Sequence, residues 1–190
     1  MFTHDHPFSL SSLPGPESDE SDLKGLMYER NDVPSEFKYP EHGLLKLGGM
    51  LTAEQIENPN TLDSGGDRIH RVLKRGFMTK TTVGTLPRFM SFVRKYFTTG
   101  NLESLELAIF PHESQVGLFS KGGDSGALIA SAIGEFVGLI TGGTNKGTDG
   151  SDITYATLFK YLWDLVLVEF PGANLYWDNI AAFLAAAAAT

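Results

Sequence analysis

Between Arg68 and Thr141 the chain falls into short runs of β-branched, aromatic and aliphatic residues, each cut off by a glycine or proline signal. The runs are Ile69 with Val72 and Leu73, Thr79 to Val83, Phe89 to Phe97, Leu105 to Phe110, Ala127 to Ala132 and Phe136 to Thr141. Gly76, Gly84-Thr85-Leu86-Pro87, Thr98-Thr99-Gly100 and Pro111 separate them, and Ile133-Gly134-Glu135 reads as a hairpin turn. Runs this short, with this composition, form strands rather than helices. Roughly six antiparallel strands in about 75 residues predict a small β-barrel or sandwich.

Helical signals lie on either side of this block. Within Leu44 to Asn58, Thr52 and Gln55 have the spacing of a capping box and Pro59 follows the end, which predicts a short helix. Leu158, Leu162, Leu165 and Val166 share a face between Thr157 and Phe170, ahead of Pro171-Gly172, so one C-terminal helix is expected to pack on the β-unit. Asp178 has the character of a cap for an alanine-rich tail. The resulting division is a flexible acidic arm (1–40), the β-unit with its helix (41–176) and an Ala-rich tail (177–190).

Composition narrows the function classes. The 190 residues are 42% hydrophobic, enough for one domain with a core. With no cysteine, a disulfide scaffold, a thiolate metal cluster and a cysteine nucleophile are excluded. Neither a signal peptide nor a membrane span is apparent, so an intracellular, cytoplasmic protein without membrane contact is expected. The net charge of −8 comes wholly from residues 1–66, which carry twelve acidic and four basic side chains. The acidic run from Glu17 to Asp22 lies in the arm, where little apolar surface offsets the entropy of ordering.

The neutral remainder argues against a nucleic-acid partner. Arg68, Arg71, Lys74, Arg75, Lys80, Arg88, Arg94 and Lys95 do form a basic stretch, and alternation on strands places such charges on a solvated face. The interleaved Phe89, Phe92, Tyr96 and Phe97 are expected to be core residues rather than stacking platforms. The glycine-rich segment from Thr141 to Ser151 lacks the ending of a phosphate-binding loop. It also has Ala156 where a calcium loop would place its last carboxylate. No metal or cofactor is expected.

The sharpest local signal is Lys121-Gly122-Gly123-Asp124-Ser125-Gly126-Ala127. Glycines around one serine allow a tight turn that projects the hydroxyl outward while backbone N–H groups converge. With Ser125 attacking a carbonyl, the Gly123 and Ser125 N–H groups are the natural oxyanion donors, and Asp124 can be held inward by a charge pair or hydrogen bonds.

The order that follows is an apolar strand, the Gly134 turn, a second strand, the extended Thr141-Gly142-Gly143-Thr144, then Ile153-Thr154-Tyr155-Ala156 ahead of a helix. It resembles the C-terminal half of chymotrypsin/trypsin-like serine proteases. Phe37-Lys38-Tyr39-Pro40, Lys74-Arg75-Gly76, Ser91-Phe92-Val93-Arg94-Lys95-Tyr96-Phe97 and Ser151-Asp152-Ile153-Thr154-Tyr155-Ala156-Thr157 look like a group of trypsin-like proteins of fungi. The likeness covers roughly residues 35 to 178.

The resemblance implies an all-β, chymotrypsin-like C-terminal six-stranded barrel with a C-terminal helix. It implies a serine endopeptidase-like domain with Ser125 as nucleophile, Gly123 and Ser125 as oxyanion hole, and Thr141, Gly142 and Gly143 as the strand that binds an extended peptide. Phe119 falls where that family has the base of its specificity pocket. With no carboxylate there, a small or apolar preference is expected.

The family's base histidine and orienting aspartate belong to a preceding barrel that this chain lacks. His4, His6, His42, His70 and His112 are the only histidines. His4-Asp5-His6 reads as a solvated tail, His42 as a loop start, His70 as a strand residue and His112 as part of a turn. Without a base the hydroxyl is a weak nucleophile. The alternative is therefore a catalytically inactive, protease-derived barrel that binds a peptide or partner. The expected partners are a peptide or protein substrate, and a complementary barrel or a second copy to cover an exposed apolar interface.

Overall fold

The computed structural model describes residues 8–9, 25–27, 37–38, 44–59, 61–63, 65–112, 117–144 and 153–175. The protein is mostly β. Its elements are β1 (Phe8–Ser9), β2 (Leu44–Leu45), α1 (Ala53–Glu57), β3 (Thr61–Leu62), β4 (Arg68–Gly76), β5 (Lys80–Pro87), β6 (Met90–Phe97), β7 (Gly100–Pro111), β8 (Leu128–Ser131), β9 (Phe136–Gly143), β10 (Thr154–Leu158) and α2 (Phe159–Glu169).

β1 and β2 pair with each other; the remaining strands form one antiparallel sheet of eight. Its pairings return to their start. β4 pairs β5, β5 pairs β7, β7 pairs β10, β10 pairs β9, β9 pairs β8 and β8 pairs β4. The six strands of this circuit are not the six apolar runs of the sequence. Among the described residues β6 pairs only with β7, and β10 takes the place expected of it. The Thr154–Leu158 segment is short, but Thr154 and Ala156 are both fully buried, which is the alternation of an inward-facing strand.

β4 is buried on both faces. Val72 packs with Leu51, Ile56, Leu86, Leu107, Ile109, Phe119, Ile129, Val137, Ile140 and Ala156, whereas Leu73 packs with Met27, Phe37, Leu45, Val83 and Ala130. Met27 and Phe37 come from the segment expected to be a flexible arm, and both are core residues. The body therefore reaches back beyond residue 41. The acidic run Glu17 to Asp22, Asp178 and the Ala-rich tail lie outside the described residues.

Lys74 and Arg71 lie in the basic stretch read as a solvated face, yet both are buried. Arg71 bonds the Thr85 hydroxyl. Lys74 lies two residues from Val72 and so on the same face, opposite Thr82 on β5 and Ile129 on β8.

The aromatic run also departs from expectation. Phe89, Phe92, Tyr96 and Phe97 are exposed, Tyr96 by 73%, because β6 leaves the circuit and forms the outer strand of a hairpin with β7. Phe92 faces Leu105, also exposed, and Arg94 pairs with Glu103 across the hairpin.

The capping box forms as the sequence predicts. Thr52 Oγ1 accepts from Gln55 N, and Gln55 Oε1 accepts from Thr52 N. α1 is five residues long and buries Ile56, while Leu44–Leu45 forms a strand instead of joining the helix. α2 runs as expected to Glu169, but only half of the Leu158/Leu162/Leu165/Val166 face is covered. Leu158 ends β10 and packs on the core, Leu162 is half-buried, as are Trp163 and Leu167, and Leu165 and Val166 are exposed, while Phe159 stacks on Phe136 at 4.7 Å. No α2 residue is fully buried, and among the described residues no helix is long and apolar enough to cross a membrane.

Candidate active site

Two turns in succession, sharing Asp124, carry the serine. In the first, Asp124 N donates to Lys121 O at 2.9 Å; in the second, Ala127 N donates to Asp124 O at 3.0 Å. Each has a glycine with positive φ at its third position, Gly123 at 102° and Gly126 at 80°, the type II arrangement that favours glycine there. Type I and type II turns differ by a flip of the central peptide, so the sign of φ at Gly123 decides which way its N–H faces. Ser125 occupies the second position of the second turn and is exposed.

Among the described residues, the N–H groups of Gly123 and Ser125 donate to no acceptor and nothing hydrogen-bonds the Ser125 hydroxyl. Two undirected donors beside one exposed hydroxyl can bind an oxyanion developing at that hydroxyl.

The turn pair hangs on Asp124, 1% exposed. Oδ1 accepts from Met78 N at 2.7 Å; Oδ2 accepts from the Thr79 hydroxyl at 2.6 Å, Lys121 N at 3.1 Å and Lys74 Nζ at 3.1 Å. Burial pushes the carboxyl pKa up, but the Thr79 hydroxyl, the Met78 and Lys121 amides and the Lys74 ammonium outweigh it and bring the pKa down to about 2. Burial likewise pushes the Lys74 ammonium down, only partly offset by Asp124. Lys74 also donates to Thr79 and lies 5.8 Å from the Phe119 ring centroid. Asp124 is thus held inward by both a charge pair and hydrogen bonds.

β4 and β5 deliver these partners through the tight hairpin Gly76 to Lys80. Gly76 admits the carboxylate: a Cβ there would lie 2.3 Å from Asp124 Oδ1. The sequence reading places Lys74 on a solvated face and Gly76 at a strand end, and it assigns Met78 and Thr79 no part in the site. The available signal was a lysine two residues from Val72, in register with apolar residues.

β9 runs past the turn. Gly126 N donates to Ile140 O at 2.8 Å and Ile140 N to Ala127 O at 3.1 Å, and β8 pairing goes no further along β9. Gly142 and Gly143 pair with β10. Among the described residues, then, 141–143 keep an open backbone edge next to the serine turn.

Phe119, expected at the base of a specificity pocket, lies in the core. It is 1% exposed and belongs to the core cluster, while its carbonyl accepts from Thr82 Oγ1 at 2.8 Å, so its ring presents no surface to a ligand. Neither described histidine hydrogen-bonds Ser125. His70 Nε2 bonds Gln55 O at 2.8 Å, and it sits four residues, about 13 Å of strand, from Lys74. His112 is buried and makes no bond to Ser125. His4, His6, His42 and the loop 145–150 lie outside the described residues.

No family model matches the chain, and no curated protein matches it.

Proposed function

We propose that this chain carries the nucleophile half of a serine endopeptidase of the chymotrypsin/trypsin kind, on a closed six-stranded barrel. The single observation that carries the reading is the paired type II turn, with an exposed Ser125 beside the undirected N–H groups of Gly123 and Ser125. The circuit of six strand pairings supports the barrel, and the open edge at 141–143 supports binding of an extended peptide beside the serine.

In the proposed reaction Ser125 Oγ bonds to the peptide carbonyl carbon as its proton passes to a base. The Gly123 and Ser125 amides hold the oxyanion. The C–N bond then breaks, the amine takes the proton, and water releases the acyl group. The base comes from outside the described residues or from a complementary barrel or second copy.

The absence of any hydrogen bond to the Ser125 hydroxyl among the described residues favours a second reading, an inactive barrel that holds a peptide or partner strand along 141–143. A fluorophosphonate trap with intact-mass readout separates the two. Labelling lost in Ser125→Ala supports the enzyme; no labelling of folded protein leaves the binding barrel.

A further inference from the structure

β6 and β9 are not neighbours in the sheet, since β7 and β10 lie between them. The end of the β6–β7 hairpin nevertheless reaches β9 beside the serine turn. A Cβ placed on Gly142 would have one atom of the described residues within reach, Lys95 Nζ at 4.0 Å, and open space otherwise. Lys95 is half-buried on β6, opposite Leu102 of β7. Its neighbour Arg94 is paired with Glu103, whereas among the described residues the Lys95 ammonium has no ion pair and no side-chain hydrogen bond. An ammonium that has lost part of its hydration without gaining a counter-charge favours a carboxylate brought to it from outside.

We propose that Lys95 is a specificity-determining residue: it selects an acidic side chain at the position of a bound extended peptide that lies opposite Gly142. The inference rests on the reading of 141–143 as a peptide-binding edge, and it adds the chemistry of the peptide. Residues opposite one another in adjacent strands project to the same face, with Cβ atoms about 4.5–5.5 Å apart. The peptide side chain opposite Gly142 therefore emerges on the face where Gly142 has none, and where Lys95 Nζ is the nearest atom. A Glu or Asp carboxylate can close the remaining gap; a Lys would bring two ammonium groups together. The direction of the peptide follows from β8. It occupies this edge of β9 as far as Leu139 and runs antiparallel, so a peptide continuing its row runs toward the serine turn. The acidic residue thus precedes the reacting carbonyl in the peptide.

The experiment titrates the full chain with end-blocked, alternating threonine–valine pentapeptides whose central residue is Glu, Gln or Lys, so that one side chain carries the only difference. The ¹H–¹⁵N cross-peaks of Gly142 and Gly143 report binding at this edge and give the affinity. The Glu peptide is expected to bind about fivefold more tightly than the Gln peptide, the upper range for a partly exposed ion pair, and the Lys peptide more weakly than either. The net charge of −8 opposes an acidic ligand, so a preference for Glu reports a local cation. Lys95→Gln is expected to bring the Glu and Gln peptides level, and Lys95→Glu to reverse the order in favour of Lys.

Equal affinity for the Glu and Gln peptides, or a Glu preference that survives in Lys95→Gln, overturns the proposal while leaving the peptide edge standing. Failure of both variants to fold also overturns it, because the lysine would then serve the fold. If no peptide moves the Gly142 and Gly143 cross-peaks, the reading of 141–143 as a peptide edge falls, and the role of Lys95 falls with it.

Discussion

The protonation of Asp124 can be followed by its effect on stability. Its carboxyl moves from 3.8 to about 2 on folding. A folded-state pKa below the unfolded one stabilises the fold at pH values above the unfolded pKa, and that contribution is lost as pH falls through the folded value. At about 1.36 kcal/mol per unit the contribution is roughly 2 kcal/mol. Other carboxyl groups titrate in the same range, so the informative quantity is the difference between wild type and Asp124→Asn. At neutral pH the variant leaves the buried Lys74 ammonium without its counter-charge, a loss of about 3–5 kcal/mol for a buried pair broken on one side. Near pH 2 wild-type Asp124 is itself becoming neutral, so the gap is expected to narrow by roughly 2 kcal/mol. Urea unfolding followed by circular dichroism, repeated from neutral pH to about 2, measures it. A gap that stays constant across this range, or an Asn variant as stable as wild type at neutral pH, would refute the ion-pair account.

Two further outcomes bear on the site and on the hairpin. Gly123→Ala places a side chain at φ 102° and against Met78, so it is expected to cost about 1–3 kcal/mol and to abolish fluorophosphonate labelling at pH values where the fold is intact. Near wild-type labelling would mean the turn is not held as described. Phe92→Ser alters a residue 64% exposed on the β6–β7 hairpin and should change stability by less than about 0.5 kcal/mol in urea unfolding. A loss above about 1 kcal/mol would show that the hairpin face is covered in solution.

The strands were legible because glycine and proline punctuate them and because their composition is apolar and β-branched. Each expected run from Ile69 to Thr141 overlaps an observed strand. Their arrangement was less legible, since pairing depends on partners far apart in sequence. β6 carries three aromatics with Met90 and Val93, yet among the described residues it pairs on one side only, while the short Thr154–Leu158 segment bridges β7 and β9. Local composition carries β-propensity but not which strand closes the circuit. The α2 stripe was half legible for a related reason: periodicity tells which residues share a helix face, and Leu158 and Leu162 are covered, but it does not tell how far the sheet extends beneath that face, and Leu165 and Val166 are exposed.

At the site, the same contrast separates what is local from what is not. The turn geometry of Gly123, Ser125 and Gly126 follows from the tripeptide pattern itself, because a type II turn asks for glycine at its third position. The anchor does not follow from any window of sequence. Lys74 reads as one cation among eight on a solvated strand face, and it is Asp124, fifty positions on in the sequence, that supplies the counter-charge its burial requires. Gly76 is the residue that links the two descriptions: it read as a strand terminator, and it is also the place where any larger side chain would meet the Asp124 carboxylate. The β4–β5 hairpin therefore ends where it does for two reasons at once, the chain reversal at Gly76 to Lys80 and the room that the serine turn needs to be fastened from within.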